Sequence, residues 1–286
     1  MIVTHTRADL AAAREKLAGP VVLVPTMGAL HDGHRALLAR ARELAGDHGS
    51  TVVSIFVNPL QFGPNEDLDR YPRTLPEDLA IAEAEHVDLV FAPGVSDMYP
   101  SKQLVMVDPG PVGDILEGEF RPGFFKGVLT VVLKLFTLVR PDIAVFGEKD
   151  AQQLALVRRM TADFALGIEI AGAPIVRASD GLALSSRNKY LSPPERSVAT
   201  ALHAALSAGL AAAADGPDAV LAAARRVLGD AGEALTADYV ELAEWESGRF
   251  VRGGDFQGTA TLAIAARVGT TRLIDNVPVR FDAADD

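Results

Sequence analysis

Residues 21–45 read VVLVPTMGALHDGHRALLARARELA, and their pattern decides the fold. Val21–Val24 is an unbroken apolar run, the signature of a strand buried on both faces. Pro25 and Gly28 interrupt it, and from Arg35 to Ala45 the apolar residues recur at helical spacing. The same alternation continues downstream. Thr51–Val57, Asp88–Phe91 and Ile143–Phe146 are strand-like, while Leu75–Glu85 and Val128–Val139 have the spacing of helices packed on a sheet. Repeated βα units predict an α/β fold, a doubly wound, mainly parallel Rossmann-like sheet whose ligands sit beyond the carboxyl ends of its strands.

From Val176 the texture changes. A polar stretch runs to Ser192, followed by Pro193-Pro194 and an alanine-rich segment, Val198–Leu235, broken by Asp215-Gly216-Pro217. Alanine is the best helix former, so this segment reads as two helices joined by a turn. Asp238–Leu242, Thr261–Ala266 and Thr271–Ile274 read as short strands, the last two forming a hairpin through Val268-Gly269. The expected organisation is a Rossmann-like domain over 1–175 and a smaller C-terminal α+β lid domain over 176–286.

With 286 residues, 49% of them hydrophobic and 23% charged, the chain can bury a large core. Against 38 acidic residues it has 27 Lys and Arg, a net charge of −11 that argues against a general nucleic-acid or anionic-membrane surface. Having no cysteine, it can form no disulfide, thiolate metal site or cysteine nucleophile. Charged residues among the first thirty do not suit a signal peptide, and Val128–Val139, broken by Lys134, is too short to span a bilayer. The expected location is the cytoplasm.

Four segments carry candidate chemistry. Pro25–His34 follows a strand and opens a helix, so its backbone N–H groups are placed to hold phosphate, and His31 and His34 put two imidazoles on one side of that site. Two solvated histidines at a helix start capped by Asp32 are the plain alternative. Neither a P-loop nor a G-x-G-x-x-G follows this strand. Asn58 and Gln61 are neutral amides that can orient a carboxylate without pairing it to a cation, or merely the polar residues of a proline turn. Lys149, in Gly147-Glu148-Lys149-Asp150, stands near a helix start where it can meet an anion, or belongs to a surface charge cluster. Ser185-Ser186-Arg187 offers two hydroxyls and a guanidinium in a loop able to close over phosphate, or is a polar linker.

Taken together, Thr26–His34, Asn58–Gln61, Gly147–Asp150 and Ser185–Asn188 closely resemble the pantoate–β-alanine ligase family. Tyr71–Thr74, Leu116–Gly118, Arg121–Gly123 and Asp275-Asn276 extend the likeness over nearly the whole chain. In that superfamily of nucleotidyltransferases, the His-x-x-His segment corresponds to the HIGH signature of class I aminoacyl-tRNA synthetases and Ser-Ser-Arg to KMSKS.

The resemblance implies attack of pantoate's carboxylate on the α-phosphorus of ATP, then displacement of AMP by the amine of β-alanine. It assigns His31, His34, Lys149, Ser185, Ser186 and Arg187 to phosphate charge. Met27, Gly28, Ala29, Leu30, Asp32, Gly33, Gly147, Glu148, Asp150, Val176 and Leu184 would line the nucleotide. Asn58, Gln61 and Gln153 would hold pantoate, with Gln61 also meeting β-alanine. It further implies Mg²⁺ on the ATP, with Glu77 and Asp78 as candidate ligands, and a homodimer.

Three residues depart from the family pattern: Phe124 in place of a histidine, Ala178 in place of an acidic residue, and Leu184 in place of a methionine. The rivals are an adenylyltransferase acting on a phosphorylated cofactor precursor and a noncatalytic nucleotide-binding module. A tRNA synthetase is disfavoured by the acidic, alanine-rich tail.

Overall fold

The computed structural model describes residues 1–64, 66, 68–253 and 256–282. The chain divides into two compact units, one comprising Met1–Glu148 and Gln152–Pro174, the other Lys149–Ala151 and Ile175–Asp286.

The first unit is built on six strands: β1 (Ile2–Thr4), β2 (Val21–Thr26), β3 (Ser50–Ile55), β4 (Leu89–Phe91), β5 (Ile143–Gly147) and β6 (Glu169–Ala173). Their order is β1-β4-β3-β2-β5-β6, and every pair is parallel. Between them run α1 (Arg7–Arg14), α2 (Asp32–Ala45), α3 (Leu75–Ala84), the short α4 (Val95–Met98) and α5 (Glu117–Phe120), α6 (Phe124–Val139) and α7 (Ala151–Asp163).

Strand β2 shows why the sheet is doubly covered. Val21 and Leu23 join a core with Leu10, Phe125, Leu129 and Phe136, whereas Val22 and Val24 join another with Leu38, Ala41 and Ala82. Alternate residues point to opposite faces, so an all-apolar strand demands helices on both. Each Val or Leu fully buried in this way contributes about 1.5–3 kcal/mol.

After β2 the chain proceeds to β3 and β4 on one side, while β5 and β6 lie on the other. The carboxyl ends of β2 and β5 therefore flank the point where strand order diverges, the place where open α/β sheets bind ligands.

The second unit has an antiparallel sheet of β7 (Leu235–Glu244), β8 (Arg249–Phe250), β9 (Gly258–Val268) and β10 (Thr271–Phe281), ordered β10-β9-β7-β8. Helices α8 (Pro193–Ala199), α9 (Ala201–Ala211) and α10 (Pro217–Asp230) pack their leucines and small alanines against it. The alanine-rich segment is thus the expected helix pair, and the hairpin turns where expected, Val268 pairing with Thr271. Three strands carry no strand pattern of their own: β1 and β8 are only three and two residues long, and β6, sequence EIAGA, has a single β-branched residue.

Candidate active site

Helix α2 starts earlier than its apolar spacing suggests, because its cap is not Asp32 but His31. His31 is extended, and its Nδ1 accepts from the Gly33 N–H at 3.1 Å; the His34 Nδ1 in turn accepts from the His31 N–H at 3.2 Å. This is a capping box made of two imidazoles, their ring centroids 4.2 Å apart. A ring nitrogen that accepts carries no proton, so each neutral ring holds its hydrogen on Nε2. The box thereby fixes both tautomers and makes Nε2–H the donor of each ring.

The turn before the helix carries two successive left-handed residues, Gly28 (φ +83) and Ala29 (φ +52). The second costs about 1–2 kcal/mol for a residue with a Cβ. Asp78, 2% exposed on α3, holds this turn: its two carboxylate oxygens accept from the N–H groups of Ala29 (3.0 Å) and Leu30 (2.7 Å). A Cβ on Gly28 would stand 2.9 Å from the same carboxylate.

This corrects the expected cradle of free backbone donors. The amides of Gly28, Ala29, Leu30, His31 and Gly33 are all engaged internally, by Thr26, Asp78, His34 and His31. What the two rings of the box add to this segment is an Nε2 hydrogen each. Asp78, considered above as a Mg²⁺ ligand, is instead a brace for the turn.

The amide pair after β3 forms a fixed relay. Asn58, 1% exposed, donates Nδ2–H to Gln61 Oε1 (3.0 Å) and to the Gly127 carbonyl (3.2 Å), while its Oδ1 accepts from Tyr99 Oη at 2.8 Å. Burial pushes the Tyr99 phenol well above its ordinary range, so it stays a donor. With its oxygen occupied, Gln61 presents Nε2–H, which meets Met27 Sδ at 3.1 Å. The local proline-turn reading also holds, since Asn58 Oδ1 accepts from the Leu60 N–H at 3.3 Å.

Arg121 braces this turn by donating to Glu66 (2.6 and 3.0 Å) and to the Gln61 carbonyl (3.3 Å). Its guanidinium lies 3.6 Å from the centre of the Phe124 ring. The residue that departs from the family pattern therefore packs on a brace of the amide turn.

Of the glutamines opening α7, Gln152 is buried and structural, accepting from Glu117 N and donating to the carbonyls of Val112 and Ile115. Gln153 is partly exposed, as are Gly147, at the end of β5, and Met27.

In the second unit, Val176–Leu184 is a hairpin rather than an open loop. Leu184 N–H donates to Val176 O (2.9 Å), Ala178 N–H to Leu182 O (2.9 Å), and Gly181 turns the chain at φ +87. Ala178 sits in that turn, and its neighbour Arg177 pairs with Asp275. The hairpin delivers Ser185, whose Oγ caps a 3₁₀ turn over Ser186–Tyr190 by accepting from the Arg187 N–H at 3.3 Å. Ser185, Ser186, Arg187 and Lys149 are all partly exposed. Among the described residues, no group of three or more His, Asp or Glu is gathered to hold a metal ion.

The family model for pantoate-β-alanine ligase matches residues 2–278. A pantothenate synthetase of Thermobifida fusca is 58% identical over 287 residues, spanning 97% of this chain and 95% of that one. Another, from Mycolicibacterium smegmatis, is 55% identical and spans 97% and 87%. Among solved structures, pantothenate synthetase from Thermus thermophilus superposes with a TM-score of 0.89 at 45% identity, covering 97% of this chain and 99% of that chain. Pantoate-β-alanine ligase from Francisella tularensis, in complex with β-γ ATP and β-alanine, superposes with a TM-score of 0.78 at 32% identity, covering 97% of each chain.

Proposed function

Since the chain belongs to the pantoate–β-alanine ligase family, we propose that it condenses (R)-pantoate with β-alanine through a pantoyl adenylate, releasing AMP and pyrophosphate. The observation that carries this reading is the imidazole capping box, which sets two neutral rings, each with its hydrogen on Nε2, in a rigid turn at the carboxyl end of β2. Transfer of an adenylyl group needs charge offset and positioning more than a covalent nucleophile, which suits a chain without cysteine.

In the first step the pantoate carboxylate displaces pyrophosphate at the α-phosphorus. His31 and His34 donate to phosphate oxygens, with His34 serving the departing pyrophosphate. Lys149, Ser185, Ser186 and Arg187 offset the charge that grows there. Met27, Gly28, Ala29, Leu30, Asp32, Gly33, Gly147, Glu148, Asp150, Val176 and Leu184 line the nucleotide. Gln61, with its donor face fixed by Asn58, and Gln153 hold pantoate by its carboxylate and hydroxyls. In the second step the amine of β-alanine, met by Gln61, attacks the acyl carbon and expels AMP.

Mg²⁺ belongs to this reading as the companion of ATP. Such an ion would come with the phosphates of ATP and take few protein ligands. Residues 1–175 would bind ATP and pantoate and 176–286 act as the lid. A homodimer in the cytoplasm completes the proposal; no helix among the described residues is long and apolar enough to cross a membrane.

The reading is tested by exchange of labelled pyrophosphate into ATP. Exchange is expected with ATP, Mg²⁺ and pantoate, without β-alanine. Exchange supported by a phosphorylated cofactor precursor and not by pantoate would establish the adenylyltransferase rival.

The relay adds a finer expectation. Tyr99→Phe removes the shortest of the bonds that orient Asn58, leaving those to Leu60 N–H and the Gly127 carbonyl, and so loosens the Gln61 amide; KM for pantoate should rise about tenfold while KM for ATP stays put. Equal changes in both constants, measured by steady-state kinetics, would mean that Tyr99 serves packing alone.

A further inference from the structure

Asp275 and Asn276 are consecutive residues in the middle of β10, and both are buried. Neighbouring strand residues face opposite sides of a sheet, so the two reach in different directions. Asp275 shares its side with Leu273, Val279 and Phe281 of the apolar core. A carboxylate on such a face is costly unless fully paired.

Its pair is Arg177, joined in a two-pronged contact at 2.6 and 3.0 Å, with a further hydrogen bond from the Asn276 N–H at 2.8 Å. The same guanidinium donates to the Gly181 carbonyl at 3.2 Å and so ties the root of the Val176–Leu184 hairpin to its tip. Asn276 donates Nδ2–H to the Lys149 carbonyl at 2.9 Å; Lys149 belongs to this same unit.

Two segments that bring cationic groups to the phosphates, Lys149 and Ser185–Arg187, are thus moored to adjacent residues of one strand. That strand is a firm mooring. Its register against β9 runs without a break from Thr271 to Phe281, whereas β7 slips against the same partner between Ala237 and Tyr239.

We propose that Asp275 and Asn276 are positioning residues for adenylate formation, fixing how far Lys149 and Arg187 reach; the inference rests on the ligase reading above. A shift of a fraction of an ångström in such donors is felt in the transition state more than in ground-state binding. The effect therefore belongs in kcat.

The test is a double-mutant cycle read by pantoate-dependent pyrophosphate exchange: wild type, Asn276→Ala, Lys149→Ala and the pair combined, each checked for a cooperative thermal transition. Asn276→Ala should lower kcat about tenfold, leave KM for pantoate within about twofold, and cause no further loss once Lys149 is already alanine. The parallel cycle of Asp275→Asn with Arg187→Ala should be non-additive in the same way. An equal fractional loss in both backgrounds, or a loss confined to KM, overturns the proposal. Where Asn276→Ala does not fold, Asn276→Ser completes the cycle under the same criteria. A wild type that shows no exchange overturns the ligase reading, and this inference with it.

Discussion

Alanine at position 34 should slow pantoate-dependent pyrophosphate exchange by at least about 100-fold, because on the proposed reading it deletes a donor aimed at charge that develops in the transition state. The structure separates this from a folding defect. His34 also accepts the His31 N–H, so His34→Ala loosens the first turn of α2, but loss of such a cap costs only about 1 kcal/mol of stability. A melting curve displaced by a few degrees alongside a collapse in exchange is the expected pair of results. Lys149→Ala and Arg187→Ala should match the loss in exchange, and neither residue is part of that cap. Near-wild-type exchange in the histidine variant would remove the basis for placing the imidazoles on phosphate.

The second large effect is expected at Gly127, on α6 behind the amide turn. A Cβ there would stand 2.1 Å from the Leu60 carbonyl oxygen, 2.4 Å from its carbon and 2.7 Å from the Gln61 nitrogen. These are backbone atoms, so no side-chain rotation relieves the clash; the turn or the helix must move. Gly127→Ala should cost about 3 kcal/mol in urea unfolding, the upper part of the range for overpacking. It should also raise KM for pantoate by more than about tenfold, since the Gly127 carbonyl anchors Asn58 and the displaced backbone is that of Gln61. A variant as stable as the wild type, with unchanged pantoate kinetics, would mean that the turn yields without disturbing its side chains.

The parts of the fold that were legible are those in which one short stretch carries the whole signal. Val21–Val24 announces a doubly covered strand because every position is apolar, and Asp215-Gly216-Pro217 can only separate helices. Strand β6 was not legible, because its place is set by pairing with β5 rather than by its own residues. The histidine cap was missed since histidine is not among the usual cap residues, while the aspartate next to it is.

The braces behind the site were hidden for a different reason. Asp78 meets Ala29 and Leu30 from 49 and 48 positions away, and Tyr99 meets Asn58 across 41. No local pattern marks such pairs, so the sequence exposes the groups proposed to face substrate and conceals the side chains that hold them in place.

The chain contains two answers to one folding problem. At the start of α8 it uses Ser192 and Glu195, the ordinary capping pair, while at the start of α2 two imidazoles do the same task. A serine and a glutamate would hold α2 at least as well, but they would bring no ring N–H to the site. On the proposed role of the two rings, stability and activity are therefore separable at these two positions. A thermostabilisation effort that scored residues 31 and 34 only as helix caps would settle on Ser-x-x-Glu and, on the proposed role of the rings, obtain a sturdier protein stripped of two phosphate donors.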